Sequence, residues 1–126
     1  MMELGLEVTT IGSHVVVQVS GEIDISSAPR LREAIVGVLA EGRTQIAVDL
    51  REVDFLDSTG LGVLVGGLKR ARSAGGELRV ISTSPRIAKV FAITGLDGIF
   101  QIVEQPEDLP VIEEGASEPS SRTEGC

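Results

Sequence analysis

Apolar positions along the chain alternate between two periods, and the alternation predicts the order of elements. Leu4, Leu6 and Val8 interleave with smaller or polar neighbours over residues 4–10, the pattern of a half-buried strand. After a Gly12-Ser13 turn, His14 to Ser20 reads HVVVQVS, a β-branched second strand, and so short a connection implies a hairpin. Gly21-Glu22 is expected to break this strand, leaving Ile23-Asp24-Ile25 as a short extended piece. Ser26-Ser27-Ala28-Pro29 then reads as a helix start, with Ser26 or Ser27 as cap and Pro29 in the first turn. That helix gathers Leu31, Ala34, Ile35, Val38 and Leu39 on one face and stops at Gly42.

The second half alternates strands and helices, with no internal repeat. Gln45 to Leu50 is a mostly apolar strand, and Arg51 to Asp57 reads as a loop carrying Val53, Phe55 and Leu56. A helix from about Ser58 presents Leu61, Leu64, Val65, Leu68 and Ala71, with Lys69, Arg70 and Arg72 suiting the dipole at its end. Glu77 to Ser82 is a strand. Ser84-Pro85 opens a third helix with Ile87, Val90 and Phe91 on one face, Thr94-Gly95 closes it, and Ile99 to Val103 is the last strand. The order is β-β-α-β-α-β-α-β. Each of the last three strands follows a helix, which implies right-handed crossovers and parallel pairing, while the first hairpin adds an antiparallel member. The expected architecture is α/β: a small, mixed, mostly parallel sheet with an N-terminal hairpin and helices mainly on one face. Residues 1–112 are expected to form one domain. Residues 113–126 are read as an acidic, disordered tail, with Leu109, Val111 and Ile112 in a short packed turn before it.

Charge and composition narrow the function classes. Of the net charge of −8, residues 1–103 carry −2 and residues 104–126 carry −6. No basic stripe is available for a nucleic acid backbone or an anionic membrane surface. The only aromatics are Phe55, Phe91 and Phe100, too few for a base-stacking platform. Cys126, the single cysteine, reads as a free thiol at the chain end. Neither a signal peptide nor an apolar run of membrane-spanning length is present, so a cytoplasmic location is expected. His14, the only histidine, opens a strand and reads as a surface or edge residue; a Ser-His-Asp triad or multi-histidine metal site is not available. Gly60, Gly62, Gly66 and Gly67 lie inside a helical segment rather than in a phosphate-binding loop, where they could permit close packing. No enzyme activity, cofactor or metal is expected.

The densest polar feature is the group Asp49, Glu52, Asp54 and Asp57, next to Ser58. Three readings stay open on composition alone. Asp57 or Ser58 caps the helix; the acids bind a divalent metal or accept a phosphoryl group; or Ser58 is phosphorylated, at a helix end whose amides favour a phosphate. A receiver-like phosphotransfer domain is disfavoured, since no acidic pair follows the first strands and no lysine follows the last.

The segments VVVQVSGEIDISSAPRLREAI, IAVDLREVDFLDSTGLGVL and SPRIAKVFAITGLDGIF, in this order, resemble the bacterial anti-sigma factor antagonists, which consist of a single STAS domain. Gly21-Glu22-Ile23-Asp24 is similar to the motif after the family's second strand, Asp57-Ser58-Thr59-Gly60-Leu61-Gly62 to its phosphorylation loop, and Gly95-Leu96 to the end of its third helix. The resemblance implies a partner switch. An unphosphorylated antagonist binds an anti-sigma factor, often a serine kinase using ATP and magnesium, and releases a sigma factor. Phosphorylation ends the binding, and a serine phosphatase restores it. Ser58 is then the phosphoacceptor. Asp24, Ser26, Ser27, Asp57, Thr59 and Gly60 face the partner with it, and Thr59 is a surrogate acceptor or part of the helix start. The alternatives are a STAS interaction module in another signalling assembly and a small nucleotide-binding regulator, for which the chain holds no motif.

Overall fold

A computed structural model describes residues 4–112. The tail expected over 113–126, with Cys126, lies outside them. Strands β1 (Gly5–Ile11) and β2 (His14–Ile23) form the hairpin, followed by α1 (Ala28–Ala40), β3 (Gln45–Leu56), α2 (Ser58–Ser73), β4 (Glu77–Ile81), α3 (Pro85–Ile93) and β5 (Ile102–Val103). Short 3₁₀ turns occupy Leu96–Gly98 and Pro106–Asp108. The sheet order is β1-β2-β3-β4-β5, with β1 antiparallel to β2 and every other pair parallel. The expected architecture is therefore observed.

All three helices deliver side chains to one face. Leu31, Ile35 and Val38 of α1, Leu61, Leu64, Leu68 and Ala71 of α2, and Ile87 and Phe91 of α3 share one cluster with Val15, Val17, Val19, Ile46, Val48, Leu50, Leu78 and Val80. The strand residues in that list alternate with others, as a two-residue period requires. Phe91 meets Phe100 edge to face, with ring centroids 5.5 Å apart. Val16, Ala47 and Ile81 point to the opposite face, where Val103 and Leu109 pack on them. The chain after β5 thus lies on that face, with Leu109 packed as expected and Val111 exposed. The amide of Ile112 donates to Ser13 Oγ at 3.1 Å.

Four expectations need correction. Gly21-Glu22 does not end β2; the strand runs on to Ile23 through register shifts against β3 at Gln18/Ser20 and Gly21/Glu22. Gly21 sits at φ 96°, a left-handed conformation that lets the ladder bend without breaking. Residues 51–56 are not a loop but the second half of β3, paired with this extension of β2. The irregular ladder there buries Val53 and Leu56, three residues apart, so a strict two-residue alternation is missing. The last strand is only Ile102–Val103, with Ile99 left exposed. His14 is neither surface nor edge: it is 1% exposed, on the face opposite the helices.

Two of the four helical glycines have the packing role their positions suggested. A Cβ on Gly60 would lie 2.6 Å from both Ile23 Cγ2 and Leu56 Cδ1, and one on Gly67 would lie 2.8 Å from Leu78 Cδ1. The first turn of α2 is therefore seated directly on the ends of β2 and β3. Gly60→Ala is expected to cost about 1–2 kcal/mol in urea unfolding, overpacking outweighing the gain in helix propensity. Gly62→Ala, with nothing within 4 Å of its added Cβ, is expected to stabilise by up to about 1 kcal/mol. Equal effects at the two positions would refute the seating of α2 on Gly60.

Candidate functional site

The site forms where the parallel strands end. Ile23 pairs with Leu56, so the residues that follow each, Asp24 and Asp57, leave the sheet side by side. The Asp57 amide donates to the Ile23 carbonyl at 3.1 Å and fixes the start of α2 against the end of β2.

Asp57 is the cap of α2. Its backbone is extended, and its Oδ1 accepts from the amides of Thr59 at 2.9 Å and Gly60 at 3.1 Å. Ser58 occupies the first helical position and is exposed, as is Thr59. Of the amides free at this helix end, two are therefore already committed to Asp57. An anion on the Ser58 hydroxyl would find less compensation here than at an uncapped helix. Asp57→Ala is expected to lower stability by about 1 kcal/mol in thermal or urea unfolding, the ordinary cost of a lost cap.

The turn before α1 is organised by its own aspartate. Ser26 and Ser27 were expected to cap α1, but Ser27 makes no side-chain capping bond to the helix. Instead Asp24 Oδ1 accepts from the Ser26 amide at 3.0 Å, the Ser26 hydroxyl at 2.9 Å and the Ser27 amide at 3.1 Å. The Ser27 hydroxyl accepts from the Asp24 amide at 2.9 Å and donates to the Glu22 carbonyl at 2.8 Å. The Ser26 hydroxyl, followed by the Ser27 amide, holds the Asp24 carboxyl below its ordinary pKa. This turn is a rigid, negatively charged knuckle beside the start of α2.

The acidic group perceived in the sequence does not assemble as one site. Asp49 is 2% exposed and forms a bidentate pair with Arg51, Nη2 to Oδ2 at 2.8 Å and Nε to Oδ1 at 3.0 Å. Glu52 and Asp54 are exposed on the strand, and the Asp54 carbonyl accepts from Arg86 Nη1 at 3.3 Å. Among the described residues, no three of His, Cys, Asp and Glu come together to hold a metal ion. No helix among them is long and apolar enough to cross a membrane.

Two apolar residues at this end escaped the sequence reading. Ile25, in the Asp24 turn, is 75% exposed, and Phe55, opposite Glu22 in the ladder, is 46% exposed. The sequence shows an isoleucine inside a polar turn, but nothing in it marks either residue as uncovered. Large exposed apolar side chains beside polar groups are a feature of docking surfaces.

The family comparisons agree with this geometry. Residues 5–109 match the STAS domain family model. The anti-sigma-B factor antagonist of Bacillus subtilis (strain 168) is 40% identical over 106 residues, covering 84% of this chain and 96% of the relative. The crystal structure of an anti-sigma factor antagonist from Mycobacterium paratuberculosis superposes with a TM-score of 0.77 at 32% identity, over 84% of this chain and 90% of that one. The Bacillus cell fate determinant SpoIIAA in its phosphorylated form gives a TM-score of 0.64 at 25% identity, over 83% of this chain and 95% of that one. A chain matched over this length, with the Asp24 turn and the Ser58 helix start brought together at one end of the sheet, is a STAS-domain protein of the anti-sigma factor antagonist family.

Proposed function

We propose that this protein binds an anti-sigma factor through the end of the sheet that carries Ser58, and that phosphorylation of Ser58 by that partner ends the binding. The observation that carries the reading is the position of Ser58. It is exposed at the first turn of α2, beside the Asp24 knuckle and on the same end as Ile25 and Phe55. The apolar pair supplies area to bury, and Asp24, Ser26, Ser27, Asp57, Thr59 and Gly60 supply the polar rim. The protein acts as the substrate of the exchange and performs no chemistry itself. The anti-sigma factor is read as a serine kinase that brings ATP and magnesium, and a separate serine phosphatase reverses its action. Dependence on ATP places the exchange in the cytoplasm.

The support is physical as well as familial. Phosphorylation adds about −1.5 to −2 charges at neutral pH. Asp57 already occupies the two amides that could best receive them. The charge must then be carried on the surface the partner covers, next to Asp57 itself. The direct test incubates the protein with its cognate anti-sigma factor, ATP and magnesium. Intact mass should show one phosphate, mapped by fragmentation to Ser58 and absent from Ser58→Ala. Phosphate that mapped elsewhere, or none at all, would end this reading.

A further inference from the structure

We propose that β1 is a self-association edge, through which two copies of this chain pair antiparallel to make one continuous ten-stranded sheet. β1 is the outer strand of the sheet and hydrogen-bonds only to β2 among the described residues. Alternate residues of such a strand turn their amide and carbonyl away from the sheet, a row of unmet donors and acceptors. Proteins that keep an edge free usually interrupt it with lysine, proline or a bulge, or cover it. β1 carries none of these. Its sequence is Gly-Leu-Glu-Val-Thr-Thr-Ile, and its ladder to β2 runs through seven pairs without a shift. Glu7 is its only charge.

The side chains of this edge are open as well. All residues from Glu7 to Ile11 are exposed, with Val8 at 54% and Ile11 at 41%. Val111, 88% exposed, precedes the Ile112 amide that is bonded to Ser13 in the hairpin turn. Exposed apolar residues thus gather along and beyond the end of an unpaired strand. The opposite edge of the sheet, β5, is two residues long and offers no comparable template.

A second copy fits this edge better than an unrelated strand because the edge complements itself. A two-fold axis through Thr9 sets Thr9 against Thr9, Val8 against Thr10 and Glu7 against Ile11 of the second copy. Threonine pairs and threonine–aliphatic pairs are favourable cross-strand neighbours, and no carboxylate faces another. The described residues 4–112 hold 14 Asp or Glu against 10 Lys or Arg, a net of −4, a modest repulsion that salt screens. β1 lies two strands away from β3, so Ser58 stays open in both copies, at opposite ends of the joined sheet.

So short a seam gives weak association, and the experiment must span concentration. Sedimentation equilibrium from about 10 µM to about 1 mM should show the mass rising from 13.2 kDa towards twice that value. Val8→Lys and Ile11→Glu place a charge on exposed positions, the latter opposite Glu7 of the second copy, and each should abolish the rise. Hydrogen exchange on the unaltered protein needs no variant: alternate amides of β1 should become more protected as concentration increases. A mass of 13.2 kDa throughout would overturn the proposal. So would a dimer that survives both variants, which uses another face. Protection of β1 that is independent of concentration would also overturn it, and would assign the edge to another segment of the same chain.

Discussion

Ser58→Asp is expected to weaken binding to the cognate anti-sigma factor by about a hundredfold, roughly 2.7 kcal/mol, while Ser58→Ala keeps binding and loses modification. The size follows from where the side chain stands. Ser58 is exposed in the first turn of α2, at the end of the sheet where Ile25 and Phe55 are also exposed and where the partner is proposed to dock. A carboxylate there has to shed water without gaining a compensating donor from its own helix. The Thr59 and Gly60 amides are held by Asp57 Oδ1 at 2.9 and 3.1 Å. Leaving one charge unpaired at a covered interface typically costs a few kcal/mol. Isothermal titration of wild type, Ser58→Asp and Ser58→Ala against the anti-sigma factor reads this directly. Circular dichroism must show the fold unchanged in all three. Equal affinities would remove the electrostatic basis of the switch, whatever the phosphorylation state of the wild type.

The same geometry bears on two of the three readings that composition left open, the cap and the phosphoserine. Capping and the proposed phosphorylation do not exclude each other, because they fall on different residues. Asp57 caps, and its capping leaves Ser58 outside the hydrogen bonds of the helix end. The cap therefore works against the phosphate as well as for the helix. With Asp57→Ala, the freed amides could receive a Ser58 phosphate, so the same modification should impair partner binding less than in the wild type.

Much of this was legible because local signals and the fold agree. The Gly12-Ser13 hairpin, the Ser84-Pro85 helix start and the apolar faces of α1 and α2 are each decided within a few residues, and the structure places them as read. Some failures come from long-range pairing, others from local hydrogen bonds that the hydrophobic pattern does not encode. Residues 51–56 hold Arg51, Glu52 and Asp54 and look like a loop, but β2 continues past Gly21 and supplies their partners. Ser26 and Ser27 look like caps, yet Asp24 takes their amides first. Asp49 looked like a member of an acidic site, yet Arg51 turns back along the strand to pair with it. Ile25 and Phe55 were invisible as a surface because nothing local says that an apolar residue remains uncovered.

His14 was misread for the same reason, and its burial predicts a pH dependence of stability. Its ring is 1% exposed. Arg79 Nη1 donates to Nε2 at 3.0 Å and also to Gln45 Oε1 at 3.0 Å, while Nδ1 lies 3.4 Å from Ser13 Oγ. A neutral imidazole with its proton on Nδ1 suits these contacts; a charged one would lose the Arg79 bond and face a second cation. Burial first, and the Arg79 charge second, lower the pKa from 6.5 to about 4. The unfolded chain therefore binds the proton more readily than the folded one between these values. Stability is fully present above pH 6.5, declines as pH falls towards 4, and stops declining on this account below that, where both states are protonated. The total loss is about 3 kcal/mol. Asp24, whose carboxyl is lowered from 3.8, begins to cost stability only at the acid end of this range, and equally in wild type and His14→Gln. Urea unfolding from pH 7.5 to 4 should show wild type losing about 3 kcal/mol more than His14→Gln, whose amide oxygen can still accept from Arg79 but does not titrate. Parallel curves for the two proteins would mean that His14 takes up its proton in the folded state, and that the face it shares with Arg79 and Ser13 opens to water.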